Sequence, residues 1–278
     1  MPIEITFDEL RAQHQAILFD AYGVLVDASG ARPGAAAAIA TLRRAGQPFL
    51  VVTNDASRSA DSAAARLSRL GIDVSQQHIL SSGMMIAPAI REMNREGLRV
   101  VVVGPEDSAA YARAAGVQVV LPTVEDPADV VVLADESGYD TLTTMNSVLS
   151  MIIVAVRSNK TPRLLLANPD LIYPAGAASF GFTAGALALM LERALVLVLG
   201  DRAPVFEILG KPSHRIFTEA IARIGMSNAV MIGDQLHTDI AGAHSVGMAS
   251  ALLLGGVSDA PAAGEWGEFT PQYVLRSL

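Results

Sequence analysis

The sequence has no cysteine among its 278 residues. This absence excludes disulfide bonds, thiolate metal sites and cysteine nucleophiles, so any chemistry falls to Asp, Glu, His, Ser or Thr side chains. The sequence also has no cluster of Lys and Arg, and its formal net charge is -8. Because nucleic-acid-binding proteins usually carry a basic surface, we predict that the binding partner is a small solute and not a nucleic acid.

An unbroken apolar run of membrane-spanning length is missing as well. The apolar stretch at residues 184–199 is interrupted by Glu192 and Arg193, and residues 1–14 carry acidic side chains without the apolar core of a signal peptide. We therefore expect a cytoplasmic protein that does not contact a membrane. Since 51% of the residues are hydrophobic, the chain can bury a large core, in one large domain or in two.

Polar side chains follow three of the apolar runs that read as strands. Asp20 follows residues 16–19, Thr53 and Asn54 follow residues 48–52, and Asp234 and Asp239 follow residues 229–232. Because parallel strands of an open α/β sheet present their carboxyl ends at one edge, we expect these side chains to lie close together. Each feature alone has a plainer reading, since an Asp or Ser after a strand often only caps a loop or a helix.

The collected residues suit phosphoryl transfer, which requires an oxygen nucleophile, a cation and donors to the phosphate oxygens. Asp20 would attack the phosphorus to give an aspartyl intermediate. Mg²⁺ takes one or two protein carboxylates, for which Asp20 and Asp234 are adequate. Thr53 and Lys211 would hold the phosphate, and Asp239 would brace Lys211 or the neighbouring loop.

The middle of the chain has the pattern of a separate α/β unit. Between residues 83 and 181, short apolar runs alternate with helical stretches, which implies mostly parallel strand pairing. We therefore predict an α/β protein with a core formed by residues 1–82 and 182–278 and an inserted unit at residues 83–181. Residues 168–183 are rich in Gly, Pro and small side chains and read as either a binding loop or a return linker.

Four stretches, in order, resemble the motifs of the haloacid dehalogenase superfamily. They are FDAYGVL, VVTNDASRS, GKPSHRIF and MIGDQLHTDIAGAHSVG. The insertion between the second and third motifs, with its stretch LLLANPDLIYP, is similar to the branch that carries an α/β cap there. The resemblance implies a Rossmann-like, doubly wound parallel sheet with that cap. Members of the branch include phosphatases of nucleotides, sugar phosphates, p-nitrophenyl phosphate and pyridoxal phosphate.

The resemblance also assigns roles to the residues of the four motifs. It implies that Asp20 is the nucleophile and that Asp20, Asp234 and the main-chain carbonyl of Tyr22 bind Mg²⁺. It implies further that Thr53 and Lys211 bind phosphate and act in catalysis.

Other residues receive supporting roles from the same resemblance. Asp239 is a supporting carboxylate, while Asn54, Asn168 and Asp170 face the substrate. The implied partner is a small phosphorylated molecule, and a homodimer through the cap is expected because caps of this branch often dimerise.

One position departs from the family's pattern. Phosphatases of the superfamily typically have a second Asp two positions after the nucleophile, which protonates the leaving group and then activates water, and this chain has Tyr22 there. A phenol with a reference pKa of about 10 can donate a proton but is a poor base near neutral pH. Loss of a positioned acid/base costs about 10²–10⁴ in rate, so we expect a slow phosphatase.

Two alternatives stay open at this point. Asp-x-Tyr is the pattern of the haloacid dehalogenases themselves, so the chain can be read as a hydrolase of a non-phosphate bond. It can also be read as a binder of phosphate and Mg²⁺ without turnover. The carboxylates Asp234 and Asp239 and the late position of the cap argue against a dehalogenase.

Overall fold

The computed structural model of the protein describes residues 1–176, 179–257 and 266–278. These residues form an α/β structure with two parallel sheets, a seven-stranded one and a five-stranded one. The predicted fold class, a Rossmann-like core with a second α/β unit, is confirmed.

The described strands and helices are labelled in chain order. The strands are β1 Ile3–Glu4, β2 Ala16–Phe19, β3 Val26–Asp27, β4 Gly30–Ala31, β5 Phe49–Thr53, β6 Ile79–Ser81, β7 Arg99–Val103, β8 Gln118–Val119, β9 Val130–Leu133, β10 Arg163–Leu166, β11 Ile172–Gly176, β12 Ser179–Phe182, β13 Phe206–Ile208, β14 Ala229–Gly233, β15 Ala249–Leu253 and β16 Tyr273–Leu275. The α-helices are α1 Phe7–Gln13, α2 Ala35–Ala45, α3 Ala60–Arg69, α4 Ile86–Arg91, α5 Glu106–Arg113, α6 Thr141–Arg157, α7 Ala184–Leu199, α8 His214–Ile224 and α9 Ala241–Ser245. Short 3-10 turns occupy Gln76–His78, Ser82–Met85 and Gly200–Arg202, and a π-helical turn occupies Leu236–Ile240.

The larger sheet forms the core and is buried on both faces. Its strands run in parallel in the order β1-β16-β15-β14-β2-β5-β6. Ile17 and Phe19 of β2 pack in one buried cluster with residues of α2 and α3, whereas Leu18 packs in another with residues of α8. Successive side chains of a strand point to opposite faces, so the apolar runs of the sequence become a doubly wound sheet with β14, β2 and β5 adjacent at its centre.

Helix ends follow the signals in the sequence. Gly46 ends α2 in a left-handed conformation with φ of 62°, which glycine adopts without strain. The Ser59 side chain accepts a hydrogen bond from the Ser62 amide and caps α3, and Ser213 caps α8 by accepting one from the Arg215 amide. These caps fix where the polar loops after β5 and before α8 begin and end.

The five-stranded sheet belongs to the inserted unit, which we call the cap. Its strands are parallel and run in the order β13-β10-β9-β7-β8. Its outer strand, β13, and the helix α7 both lie beyond residue 181, and α7 packs with α6 against the sheet. The predicted end of the inserted unit at residue 181 is therefore too early, because the apolar face of α7 is buried by the cap and not by the core.

A two-stranded antiparallel hairpin, β11 and β12, replaces the open loop expected at residues 168–183. The pairing joins Ile172 to Phe182 and shifts register between Pro174 and Gly176. No helix within the described ranges combines the length and the apolar character that crossing a bilayer requires.

Candidate active site

The centre of the site is Asp20, which follows β2 at the middle of the core sheet. Its main-chain amide donates to the Ile232 carbonyl of β14 over 2.8 Å, and its side chain is buried. Burial, together with the charges of Asp239 and Asp234, raises the pKa of Asp20 well above its usual range, and Lys211 acts in the opposite direction.

Lys211 joins the strand ends through two ion pairs. Its Nζ donates to Asp20 Oδ1 and to Asp239 Oδ1, each over 2.6 Å, and its side chain is 2% exposed. Burial acts to lower the pKa of Lys211, but the charges of the two carboxylates outweigh it and the pKa lies above its usual range. The ammonium therefore stays charged between Asp20 and Asp239, and the predicted roles of Asp239 and Lys211 in the reaction stay predictions.

Asp234 and Asp239 occupy the end of β14 and the π-helical turn that follows it. Asp239 Oδ2 accepts from the main-chain amides of Asp234 and Gln235, both over 3.1 Å. Asp234 Oδ2 accepts from the Val257 amide over 2.7 Å, whereas its buried Oδ1 has no hydrogen-bond partner in the described part of the chain.

These carboxylates fit a divalent cation. Oxygens of Asp20, Asp234 and Asp239 lie within 4.8 Å of one another, and the Lys211 ammonium pairs with two of these three buried carboxylates, Asp20 and Asp239. Burial and the charge of Asp239 raise the pKa of Asp234 to about 7. A hard cation with oxygen ligands would remove this charge excess and supply the partner that Asp234 Oδ1 lacks.

Glycines allow two loops to approach the Asp234 side chain closely. A Cβ atom at Gly23, where φ is +98°, or at Gly256 would lie 2.2 Å from Asp234 Oδ2. Arg32 ties these two loops together, since its Nη1 donates to the carbonyls of Gly23 and Gly255 over 2.7 and 2.9 Å. The turn after Asp20 therefore packs closely against Asp234.

Thr53 and Asn54 end β5 beside Asp20. Thr53 is buried, and its Oγ1 accepts from the Asp55 amide over 3.2 Å. The Asn54 side chain is used within the protein, since Oδ1 accepts from the Lys211 amide over 2.7 Å and Nδ2 donates to the Lys211 carbonyl and to Asp170 Oδ1 over 3.1 and 3.0 Å. Asn54 therefore positions Lys211 and Asp170, and its predicted contact with substrate stays a prediction.

Asn168 and Asp170 approach the site from the cap side. Asn168 Oδ1 accepts from the Asp170 amide over 3.1 Å, and the Asp170 carbonyl accepts from the Thr183 hydroxyl and the Gly185 amide. Burial raises the pKa of the Asp170 carboxyl to about 6. Both residues line the same cavity as Asp20, and their predicted contact with substrate stays a prediction.

Tyr22 points its ring at the cap hairpin. Its hydroxyl donates to the Pro174 carbonyl over 2.5 Å, and its ring meets Tyr173 edge-on with centroids 6.4 Å apart. Burial raises the pKa of Tyr22 further above 10. The side chain at the usual acid/base position thus contacts the cap.

The cavity between core and cap has a volume of about 370 Å³ and includes Asp20, Tyr22, Thr53, Asn54, Asn168 and Asp170 in its wall. Sequence reasoning missed two further carboxylates there, Asp135 and Glu136, which follow β9. Glu136 Oε2 is buried without a hydrogen-bond partner among the described residues, and burial raises the pKa of Glu136 to about 7. Arg58 also lines the cavity and pairs with Asp55 over 2.7 Å.

A parallel core sheet with Asp20 and an acidic pair at adjacent strand ends, a buried Lys211 that pairs with Asp20 and Asp239, and an inserted α/β cap together define a class of hydrolases. Residues 17–118 match the model of the haloacid dehalogenase-like hydrolase family, and residues 208–278 match a second model described as HAD-hydrolase-like. The chain belongs to the haloacid dehalogenase-like hydrolases.

Two relatives and one solved structure illustrate the similarity. D-glycerol 3-phosphate phosphatase of Mycobacterium tuberculosis is 31% identical over 89% of this chain and 65% of its own length. Chronophin of Mus musculus is 31% identical over 97% of this chain and 92% of its own. A crystal structure of glycerol phosphate phosphatase from Mycobacterium tuberculosis in complex with magnesium superposes with a TM-score of 0.78 at 29% identity, covering 98% of this chain and 76% of that one.

Proposed function

We propose that the protein is a Mg²⁺-dependent phosphatase that hydrolyses small phosphate monoesters through an aspartyl-phosphate. The observation that carries the proposal is the Lys211 ammonium, held 2.6 Å from both Asp20 and Asp239, near an oxygen of Asp234 that has no hydrogen-bond partner among the residues the structure describes. The named phosphatases among the relatives, one of them in complex with magnesium, support it.

Each side chain of the site would have its own role in the reaction. Asp20 would attack the phosphorus, and Lys211 and the Thr53 hydroxyl would bind the phosphate oxygens as charge spreads over them. Asp20, Asp234 and the main-chain oxygen of Tyr22 would hold Mg²⁺, which supplies positive charge opposite the phosphate. Asp239 keeps Lys211 oriented, and Asn54 fixes the backbone of Lys211.

The acidic cluster favours a phosphatase over the dehalogenase alternative. Displacement of halide from carbon by a carboxylate involves no phosphoryl group whose charge a divalent metal ion must offset. Without a metal ion, the three carboxylates whose oxygens lie within 4.8 Å of one another would repel each other, and this repulsion would serve no purpose in the reaction. In a phosphatase, each of the three carboxylates would have a role: Asp20 and Asp234 would hold Mg²⁺, and Asp239 would orient Lys211.

The decisive experiment measures phosphate release from p-nitrophenyl phosphate and glycerol 3-phosphate with and without Mg²⁺. We expect activity that chelation by EDTA abolishes and that Asp20→Asn lowers by at least about 10³-fold, since the nucleophile is removed. Asp201→Asn, at an exposed position of the cap, is the matched control and keeps wild-type activity.

Three other outcomes would redirect the proposal. Activity that survives EDTA would contradict the metal assignment. Halide release from short 2-halo acids without phosphate release would support the dehalogenase alternative. Mg²⁺ binding without turnover across a broad panel of phosphate esters would identify a binder.

A further inference from the structure

The proposed reaction needs a proton that Tyr22 is badly placed to supply. The ester oxygen leaves as an alkoxide unless it is protonated, and a water must later lose a proton to attack the aspartyl-phosphate. The Tyr22 hydroxyl already donates a hydrogen bond to the Pro174 carbonyl over 2.5 Å, and its raised pKa keeps it protonated near neutral pH, where it is a weak acid and has no free base form to accept a proton from water. Another group in the cavity must therefore serve.

Asp170 is a carboxyl held in the wall of that cavity. Its Oδ1 accepts from Asn54 Nδ2 over 3.0 Å, and its main-chain amide and carbonyl are both hydrogen-bonded. Its Oδ2 accepts no hydrogen bond within the described ranges. One carboxyl oxygen is thus anchored to the residue that also fixes Lys211, while the other is available to a ligand.

The surroundings of Asp170 let it exchange a proton near neutral pH. Burial is the largest influence and raises its pKa to about 6; Asp239 also raises it, whereas Lys211 and the Asn54 hydrogen bond lower it. A bound phosphate dianion would raise the pKa of Asp170 further, since like charges disfavour ionisation. Such a group can both give and take a proton, which is what the two steps require.

Glu136 is the rival carboxyl in the same wall, and its Oε2 has no hydrogen-bond partner in the described ranges. Asp170 and Glu136 differ in which charged side chains act on their carboxyl groups. The charges that act on Asp170 are those of Lys211 and Asp239, at the nucleophile, whereas those that act on Glu136 are Asp135 and Asp55, outside the cluster of Asp20. Asp170 is also hydrogen-bonded to Asn54, whose Oδ1 accepts from the Lys211 amide, so hydrogen bonds connect Asp170 directly to the lysine that pairs with the nucleophile.

We propose that Asp170 is the general acid and base of the reaction and takes over the role that Tyr22 cannot fill; this inference rests on the proposed phosphatase function. As Asp20 forms its bond to phosphorus, the ester P–O bond breaks and the leaving oxygen takes the proton of Asp170. The resulting Asp170 carboxylate then accepts a proton from water as the water oxygen attacks the phosphorus. The bond from phosphorus to Asp20 breaks, and Asp170 is protonated again.

The test compares two leaving groups in the Asp170→Asn variant with Mg²⁺ present. Nitrophenolate can leave without being protonated, whereas the alkoxide that leaves from glycerol 3-phosphate needs a proton. We expect kcat/KM for glycerol 3-phosphate to fall by about 10²–10⁴-fold and kcat/KM for p-nitrophenyl phosphate to fall by about tenfold or less. An equal fall for both substrates would overturn the proposal, because a merely structural role cannot distinguish the leaving groups.

Two further variants keep the test decisive. Asp170→Glu, which retains a carboxyl, should recover part of the glycerol 3-phosphate activity, and it replaces Asp170→Asn should that variant fail to fold. Glu136→Gln should change both substrates by the same factor; a leaving-group difference there and not in Asp170→Asn would assign the acid to Glu136 and overturn the proposal. Wild-type protein inactive on both esters would instead refute the proposed function itself.

Discussion

At the scale of single residues, the site is a set of buried charged side chains. The sequence predicted which residues lie there, but it did not predict which of them pair with one another. Asp20, Thr53 and Asp234 could be predicted because each ends an apolar strand, and parallel strands deliver their ends to one edge. Asp135 and Glu136 give the same signal after β9, in the cap. They were missed because the strand that precedes them belongs to the cap and not to the core sheet that carries the motifs. Only the structure shows that this end of the cap sheet faces the core.

Glu136 makes the stability of the protein depend on pH in a predictable direction. Its pKa of about 7 in the folded protein exceeds the value of about 4.3 expected in the unfolded chain. The stabilisation that its proton provides is therefore complete below pH 4 and is lost as pH rises through 7. Asp135 and Asp55, the charged groups facing Glu136, oppose its ionisation.

The variant Glu136→Gln, which does not titrate, should gain stability relative to wild type as pH rises. We expect the difference in the free energy of unfolding to shift by about 1–3 kcal/mol in favour of the variant between pH 5 and pH 8. Urea unfolding at both pH values measures it, with the exposed Glu96 replaced by Gln as the control. A difference that does not change with pH would mean that Glu136 is ionised in the folded protein.

At the scale of elements, helix ends and strands were predictable from local signals, whereas the cap hairpin was not. The stretch 168–183 lacks a two-residue turn signal between alternating strands, and its pairing has a register shift, so local patterning gave only a loop. The hairpin is defined by contacts far away in the chain, such as the one from Tyr22 to Pro174. This contact links the turn after the nucleophile to the cap.

Removing the Tyr22 hydroxyl should loosen that link without unfolding the protein. A hydrogen bond of this kind contributes about 1 kcal/mol, so Tyr22→Phe should raise the rate of amide hydrogen exchange at Ile172–Gly176 by roughly fivefold. Tyr139→Phe is the matched control, because the Tyr139 hydroxyl also donates to a cap carbonyl, that of Asp135 over 3.1 Å. Equal exchange in Tyr22→Phe and wild type would show that the hairpin is held by packing alone.

At the scale of the whole molecule, the order of the motifs predicted a core with an inserted cap, but not where the cap ends. The helix α7 is apolar around much of its circumference, with Leu191 and Leu195 buried and Leu197 and Val198 exposed. Periodicity alone therefore could not say which sheet it covers. The structure assigns α7 and β13 to the cap, and it leaves one side of α7 uncovered.

The uncovered side of α7 gives the expected cap-mediated homodimer a specific test. Leu197 is 87% exposed and Val205, just before the edge strand β13, is 71% exposed; a second copy related by a twofold axis would bury both patches against each other. The variant Leu197→Glu places a charge there twice per dimer. It should raise the dimer dissociation constant by at least about 100-fold, the equivalent of roughly 3 kcal/mol, as measured by sedimentation equilibrium.

The control for this experiment lies at the opposite edge of the same sheet. Leu121 is 82% exposed and follows β8, so Leu121→Glu adds the same charge to the cap without touching α7. We expect it to leave the dissociation constant unchanged, and both variants to unfold at the wild-type temperature because neither side chain is buried within the subunit. A wild-type protein that sediments as a monomer at tens of micromolar, or dissociation caused equally by Leu121→Glu, would place the interface elsewhere or remove it.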